Sequence, residues 1–212
     1  MDFQEFLKYV PKLVNVNLPA KEAHFKMVPL ERIESLKNQN LDSFNPKTAA
    51  VMMLFYPKKG RTHLVLIVRN AYEGIHSAQI AFPGGKYESN DQTFVNTALR
   101  ETQEEIGIHP EQIEIIMPFT NLYIQASNFM VYPFLGISKE EIVFIPDSNE
   151  VAQIIELPLS DFLNDNLIVS AIMTTSYAKD IEIPAYKINE HIVWGATAMM
   201  LSELKEVLKK VL

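Results

Sequence analysis

Apolar positions in this chain recur with two different periods. Phe3, Phe6, Leu7 and Val10 fall on one helical face, with Asp2 as N-cap and Pro11 as the stop or bend. From Asn15 to Lys47 short apolar groups are broken by Pro19, Pro29 and Pro46. Residues 1–47 therefore read as a lead-in segment packed on a domain that spans 48–212. At Thr48 the pattern changes: TAAVMMLF and HLVLIVR are continuous apolar runs separated by PKKGR, the pattern of two buried strands in hairpin succession. Further strands are expected at Ile113–Met117, Phe129–Leu135, Ile142–Ile145, Val151–Leu157 and Ile181–Tyr186. A helix is expected over Thr93–Glu105, with Gly107 as its stop, and a C-terminal helix carries Leu201, Leu204, Leu208 and Val211 on one face. Strands on both sides of a central helix, plus a terminal helix, predict a layered α/β domain.

Composition narrows the function classes. Lys plus Arg number 19 against 26 Asp plus Glu, a formal charge of -7 in 212 residues. That balance speaks against a duplex nucleic-acid partner. With no cysteine, disulfides, thiolate catalysis and thiolate-bound zinc are excluded. The opening MDFQEFLKYV lacks the basic and apolar regions of a signal peptide, and no apolar run approaches the roughly 20 residues of a membrane span. The expectation is a cytoplasmic protein without a membrane partner.

Glycine is scarce, 7 in the chain, yet Gly84 and Gly85 are adjacent in AFPGGK. Pro83 sets a turn there, and the two glycines admit backbone conformations closed to other residues. In the helix that follows, Val95, Ala98, Leu99, Thr102 and Ile106 form one stripe suited to packing on a sheet, at about 100° per residue. Glu101, Glu104 and Glu105 share another face. Such a cluster is self-repelling, and a hard, oxygen-preferring cation such as Mg²⁺ or Mn²⁺ relieves the repulsion. Arg100 is placed to orient one of the carboxylates. An Arg-Glu-x-x-Glu-Glu stretch by itself is usually a solvated helix face; a double-glycine turn before it, reached from a strand, makes a preformed cation site the stronger reading.

The stretch from Gly85 through Arg100-Glu101 and Glu104-Glu105 to Gly107-Ile108 resembles the Nudix box: Gly, five residues, Glu, seven residues, Arg-Glu, aliphatic, any, Glu-Glu, any, Gly, aliphatic. Here the spacer from Gly85 to Arg100 is one residue longer. The middle acidic slot falls on Asp91 counted forward or Gln92 counted back, and Thr102 replaces the aliphatic residue. Within the Nudix family, coenzyme A diphosphatases share the extended spacer. Arg69, His76 and Phe82-Pro83-Gly84-Gly85 match that subgroup's upstream pattern, whereas Ile67, Asn70 and Ala78 depart from it. Asn149-Glu150-Val151, Glu156-Leu157-Pro158-Leu159 and Trp194-Gly195-Ala196-Thr197-Ala198 look like its downstream landmarks.

The resemblance implies an α/β; Nudix-type α/β/α sandwich with a mixed sheet, and a small-molecule nucleoside diphosphate as substrate. It implies metal held by Glu101, Glu105, Glu104 and the Gly85 carbonyl, with Glu101, Glu104, Arg100 and Glu150 in the catalytic roles. The general base is either Glu101 or a carboxylate outside the box, for which Glu150 is the candidate. Arg69 and Lys86 are candidate phosphate contacts, one a bidentate fork and the other a point charge. His76 and Trp194 read as local structure rather than chemistry, Trp194 as a buried core anchor. Coenzyme A is the expected substrate, cut to 3′,5′-ADP and 4′-phosphopantetheine. The alternatives are hydrolysis of ADP-ribose or another nucleotide, and a non-catalytic nucleotide-binding module. A homodimer is left open.

Overall fold

The computed structural model describes residues 1–37, 45–70, 79–174 and 180–212. Among described residues 1–37 lie four short α-helices: α1 (Phe3–Leu7), α2 (Val10–Leu13), α3 (Lys21–His24) and α4 (Leu30–Lys37). The Asp2 side chain accepts the Glu5 N–H at 3.1 Å, as its N-cap role requires. Pro11 sits in the first turn of α2, where no N–H is needed, so it starts a second helix instead of only ending the first.

The strands are β1 (Lys47–Lys58), β2 (Arg61–Arg69), β3 (Ile80–Ala81), β4 (Gly84–Lys86), β5 (Glu114–Pro118), β6 (Leu122–Ile124), β7 (Phe129–Ile137), β8 (Val151–Pro158), β9 (Ile168–Met173), β10 (Ile181–Ile188) and β11 (His191–Val193). The remaining helices are α5 (Phe94–Ile106), α6 (Leu159–Phe162) and α7 (Gly195–Lys209). β1 is the central strand of the main sheet. It pairs with β7 in parallel and with β2 and β4 antiparallel, so the sheet is mixed. β8 continues the sheet beyond β2, and β5 beyond β7. A smaller sheet has the order β11-β10-β9.

The continuous apolar run of β1 is explained by burial on both faces. Met52, Leu54 and Tyr56 join Val65, Ile67, Ala98 and Ile106 beneath α5. Met53 and Phe55 point the other way, into a cluster with Leu201, Leu204 and Leu208 of α7 and with Phe3, Phe6, Leu13 and Met27 of the lead-in. Sheet between helical layers is the expected α/β/α sandwich. One expected strand is absent: Ile142–Ile145 runs as irregular chain. Its apolar residues split between half-buried Ile142 and Phe144, packed on the α5 cluster, and exposed Val143 and Ile145. Alternation therefore survives, but the backbone of Ile145 is spent on the end of α5, its N–H donating to the Ile106 carbonyl at 3.0 Å.

Candidate active site

The site is assembled where β4 meets α5. Antiparallel pairing sets Gly84 opposite Val51 and Gly85 opposite Ala50, in the middle of the sheet. Gly84 has φ +152°, and a Cβ there would stand 2.6 Å from the Val51 Cα. At Gly85 a Cβ would stand 2.6 Å from Glu101 Oε1. The two glycines thus do different things: the first lets the backbone pass β1, and the second leaves room for a carboxylate.

α5 supplies that carboxylate. Its N-cap is Thr93, which accepts the Asn96 N–H at 3.1 Å, and Gly107 closes it in the left-handed conformation at φ 76°. Thr102 is tolerated on the buried stripe because its hydroxyl donates to the Ala98 carbonyl at 2.6 Å. The three glutamates do not share one environment. Side-chain exposure is 1% for Glu105, 14% for Glu101 and 55% for Glu104. Glu105 lies against the sheet, where it accepts the Gly84 N–H and an Arg69 N–H, both at 2.8 Å.

Arg100 orients the others. Its guanidinium forks onto Asp91 at 2.7 and 3.0 Å, reaches Glu101 at 2.9 Å and Glu104 at 2.8 Å, and donates to the Lys86 carbonyl at 3.0 Å. Asp91 is buried and also accepts from Thr97 Oγ1 at 2.9 Å and the Glu88 N–H at 2.8 Å. Hydrogen bonds from Arg100 hold the Asp91 carboxyl far below its ordinary range against the cost of burial. Asp91, counted forward from Gly85, is therefore a structural anchor for Arg100. The extra residue is absorbed at Gln92, which has φ 61° and ψ -38°, while the Thr93 N–H donates to the Asp91 carbonyl at 2.6 Å. This is a tight three-residue turn. It lets the longer spacer deliver Arg100 in register.

Burial raises both inner carboxylates: Glu101 above its ordinary value despite Arg100, and Glu105 to about 7 despite Arg69. Glu150, exposed on the turn before β8, repels both. A cavity of about 610 Å³ opens beside Gly84 and Gly85. Its walls include Arg69 and Lys86, Met27 of the lead-in, Leu122 of β6, and Trp194 and Met199 around the start of α7.

A family model of the NUDIX domain matches residues 46–173. The chain belongs to the Nudix family. A Citrobacter koseri protein described as the uncharacterized Nudix hydrolase NudL is 32% identical over 179 residues, covering 82% of this chain and 90% of its own. Nudix hydrolase 15, mitochondrial, of Arabidopsis thaliana is 35% identical over 130 residues, which is 58% of this chain and 44% of that protein. Among solved structures, the Nudix hydrolase RenU of M. smegmatis has a TM-score of 0.53 at 17% identity, covering 79% of this chain and 88% of its own, which is a likeness of fold. The protein is a Nudix pyrophosphatase acting on a nucleoside diphosphate linkage of a small nucleotide substrate. Among the described residues no helix is long and apolar enough to cross a membrane.

Nudix hydrolases generally use divalent ions such as Mg²⁺ or Mn²⁺. No three His, Asp or Glu side chains among the described residues already converge as a cage; Arg69, Arg100 and the Gly84 N–H hold the carboxylates instead. The donor set nevertheless fits a hard cation. It is all oxygen, and Glu101 and Glu105 are crowded and raised in a buried place where a divalent charge favours their ionised forms.

The structure thus gathers Glu101, Glu105, Arg100, Gly85 and Arg69, and Glu104 stays at the solvent edge. Arg69 is engaged with Glu105 as well as facing the cavity. Lys86 is exposed at the rim. Trp194 is half-buried on the cavity wall, not a core anchor, because only its neighbour Val193 turns inward. His76 and Ala78 lie outside the described residues. The sequence reading missed Thr97 and the contribution of Met27 and Arg32 to the cavity; a non-local contact of the lead-in leaves no local pattern.

Proposed function

We propose that this Nudix hydrolase cleaves the diphosphate of coenzyme A, giving 3′,5′-ADP and 4′-phosphopantetheine. The observation that carries the reading is the cavity: one continuous space joins the Gly84-Gly85-Lys86 turn to the Trp194-Gly195-Ala196-Thr197 stretch. These stretches resemble landmarks of the coenzyme A diphosphatases. The mixed wall suits a ligand with both an anionic bridge and a long, weakly polar arm. In this reading residues 1–47 are a lead-in that walls part of the cavity, and 48–212 are the hydrolase domain of a cytoplasmic enzyme.

Glu101 and Glu105 are the metal ligands, with the Gly85 carbonyl beside them and Glu104 at the outer edge. A bound divalent ion polarises the phosphoryl oxygens and lowers the pKa of water. Arg100 keeps Glu101 aimed at Gly85, and Arg69 keeps Glu105 against the sheet. Glu150 takes the proton from the attacking water as general base. Lys86 meets a phosphate oxygen at the rim.

The test is incubation of the purified protein with coenzyme A and Mn²⁺, with products resolved by chromatography, beside a parallel arm with ADP-ribose. Formation of 3′,5′-ADP, lost in Glu101→Gln and Glu105→Gln, supports the reading. Intact coenzyme A with consumed ADP-ribose assigns another nucleotide substrate. Tight nucleotide binding without turnover in either arm would mark a binding module.

A further inference from the structure

We infer that Asn70 is a positioning residue that holds the Glu150 turn in register with the box helix. The inference rests on the proposed role of Glu150. The Asn70 side-chain amide donates to the Ser148 carbonyl at 2.6 Å, and its backbone N–H donates to the Glu150 carbonyl at 2.9 Å. One residue therefore grips both ends of the segment that carries the carboxylate.

The same turn is tied on its other side to the box. The Asp147 N–H donates to the carbonyl of Glu105 at 3.0 Å, and the Asp147 carbonyl accepts the N–H groups of Glu150 at 3.0 Å and Val151 at 2.8 Å. Asp147 Oδ1 closes the turn by accepting the Asn149 N–H at 2.8 Å and its side-chain amide at 2.9 Å. Arg69, the neighbour of Asn70, reaches the Glu105 carboxylate. The bonds form a ring from Arg69 to Glu105, to Asp147, through the turn to Glu150, and back to Asn70. Glu150 is itself exposed and is acceptor or donor in this ring only through its backbone. The ring thus fixes the backbone that carries the Glu150 carboxylate, whose charge acts on Glu101 and Glu105.

β2 supports this arrangement. Its pairing with β8 slips between Val68 and Arg69, where the register passes from Gln153 to Val151. The extra residue, Ala152, lies on β8 directly after the Asp147–Glu150 turn, so the irregularity bends β8 where the turn joins it. The Asn70 carboxamide supplies the donor that spans to Ser148.

A position that acts through Glu150 must be non-additive with it. The experiment is a double-mutant cycle of Asn70→Ala and Glu150→Gln, assayed on whichever nucleoside diphosphate the wild type hydrolyses. Asn70→Ala is expected to lower kcat roughly 10- to 100-fold, the scale of a misplaced catalytic group, with KM changed less than threefold. In the Glu150→Gln background the same change is expected to do almost nothing. Isosteric Asn70→Asp, which sets a carboxylate against the Ser148 carbonyl, should lower kcat at least as far as Asn70→Ala. An Asn70→Ala effect of equal size in both backgrounds would overturn the inference, as would full activity of Glu150→Gln. Full activity of Asn70→Ala would overturn it as well. Inactivity on coenzyme A alone touches only the substrate reading, since the cycle runs on the substrate that is cleaved.

Discussion

Arg69 and Glu105 form a contact across 36 positions of sequence: the guanidinium donates at 2.8 Å to a carboxylate whose side chain is only 1% exposed. The cation does not win. Burial outweighs Arg69 and the Gly84 N–H, and Glu105 is raised to about 7. The folded protein therefore binds a proton more tightly here than the unfolded chain does, and the stability from this site is complete below the ordinary value near 4.5 and lost as pH rises through about 7. In chelator, the unfolding free energy of the wild type from urea titration should fall between pH 5 and pH 8 by roughly 1–3 kcal/mol more than that of Glu105→Gln. Identical pH slopes in the two proteins would contradict it.

A divalent cation should offset that loss, because it favours the ionised carboxylates. Mn²⁺ in hundredfold excess over its Kd adds about 2.7 kcal/mol to a protein that binds it only when folded. The rise in Tm should be larger at pH 8 than at pH 6, since protons compete for the same oxygens. Thermal melts of Glu101→Gln/Glu105→Gln should show no such rise; a preserved rise would place the ion elsewhere.

The paired glycines should respond oppositely to a single methyl group. Gly84→Ala puts a Cβ 2.6 Å from the Val51 Cα at φ +152°, and rigid backbone cannot yield; a loss of at least about 1–3 kcal/mol is expected in denaturant melts. Gly85→Ala meets only the flexible end of Glu101, 2.6 Å from its Oε1. That side chain can swing aside, so Tm should barely change while kcat drops on the order of 100-fold. If Gly85→Ala kept full turnover, the closeness of Glu101 would have no catalytic meaning.

Asp91→Asn removes the charge that two Arg100 nitrogens grip at 2.7 and 3.0 Å. Breaking a buried pair in this way costs about 3 kcal/mol. Because Arg100 holds Asp91 far below its ordinary range, the stabilisation is complete above about pH 4 and is lost only as pH falls through the much lower folded value. Arg100→Lys should lose both stability and activity, since an ammonium cannot fork onto Asp91 while touching Glu101. Denaturation of wild type and Asp91→Asn at pH 7, where the gap should be full, and along an acid titration to well below about pH 3, where it should close, with parallel assays, checks both.

Glu203 makes the opposite statement to Glu105. It is fully buried in α7, yet its pKa is lowered: burial raises it, but His24, the Thr120 hydroxyl at 2.6 Å and the Ala20 N–H at 2.9 Å outweigh that. Its stabilisation is present above the ordinary carboxylate range and is lost as pH falls through the lowered value. Glu203→Gln should weaken the attachment of the lead-in near neutral pH and flatten the acid limb. Limited proteolysis within residues 1–37 should then accelerate, and unchanged cleavage would argue against the tie.

Period and composition determined much of this protein. Alternation and continuous burial mark β1 and β2, because a strand covered on both faces admits only apolar side chains. The Gly107 stop and the stripe through Ala98 and Ile106 mark α5, because those signals are local to the helix, while Thr93, expected inside it, is its N-cap. The Nudix box is local for the same reason: glycine turn and carboxylate helix are adjacent in the chain. Tertiary structure alone decided which glutamate is buried, since Glu101, Glu104 and Glu105 differ only in what β4 and β2 bring against them. It also decided that Asp91 anchors Arg100, that Ile142–Ile145 runs as irregular chain along α5, and that Met27 and Trp194 border one cavity. Those outcomes depend on contacts between residues far apart in sequence, and such contacts are set by how layers stack, which no local spacing encodes.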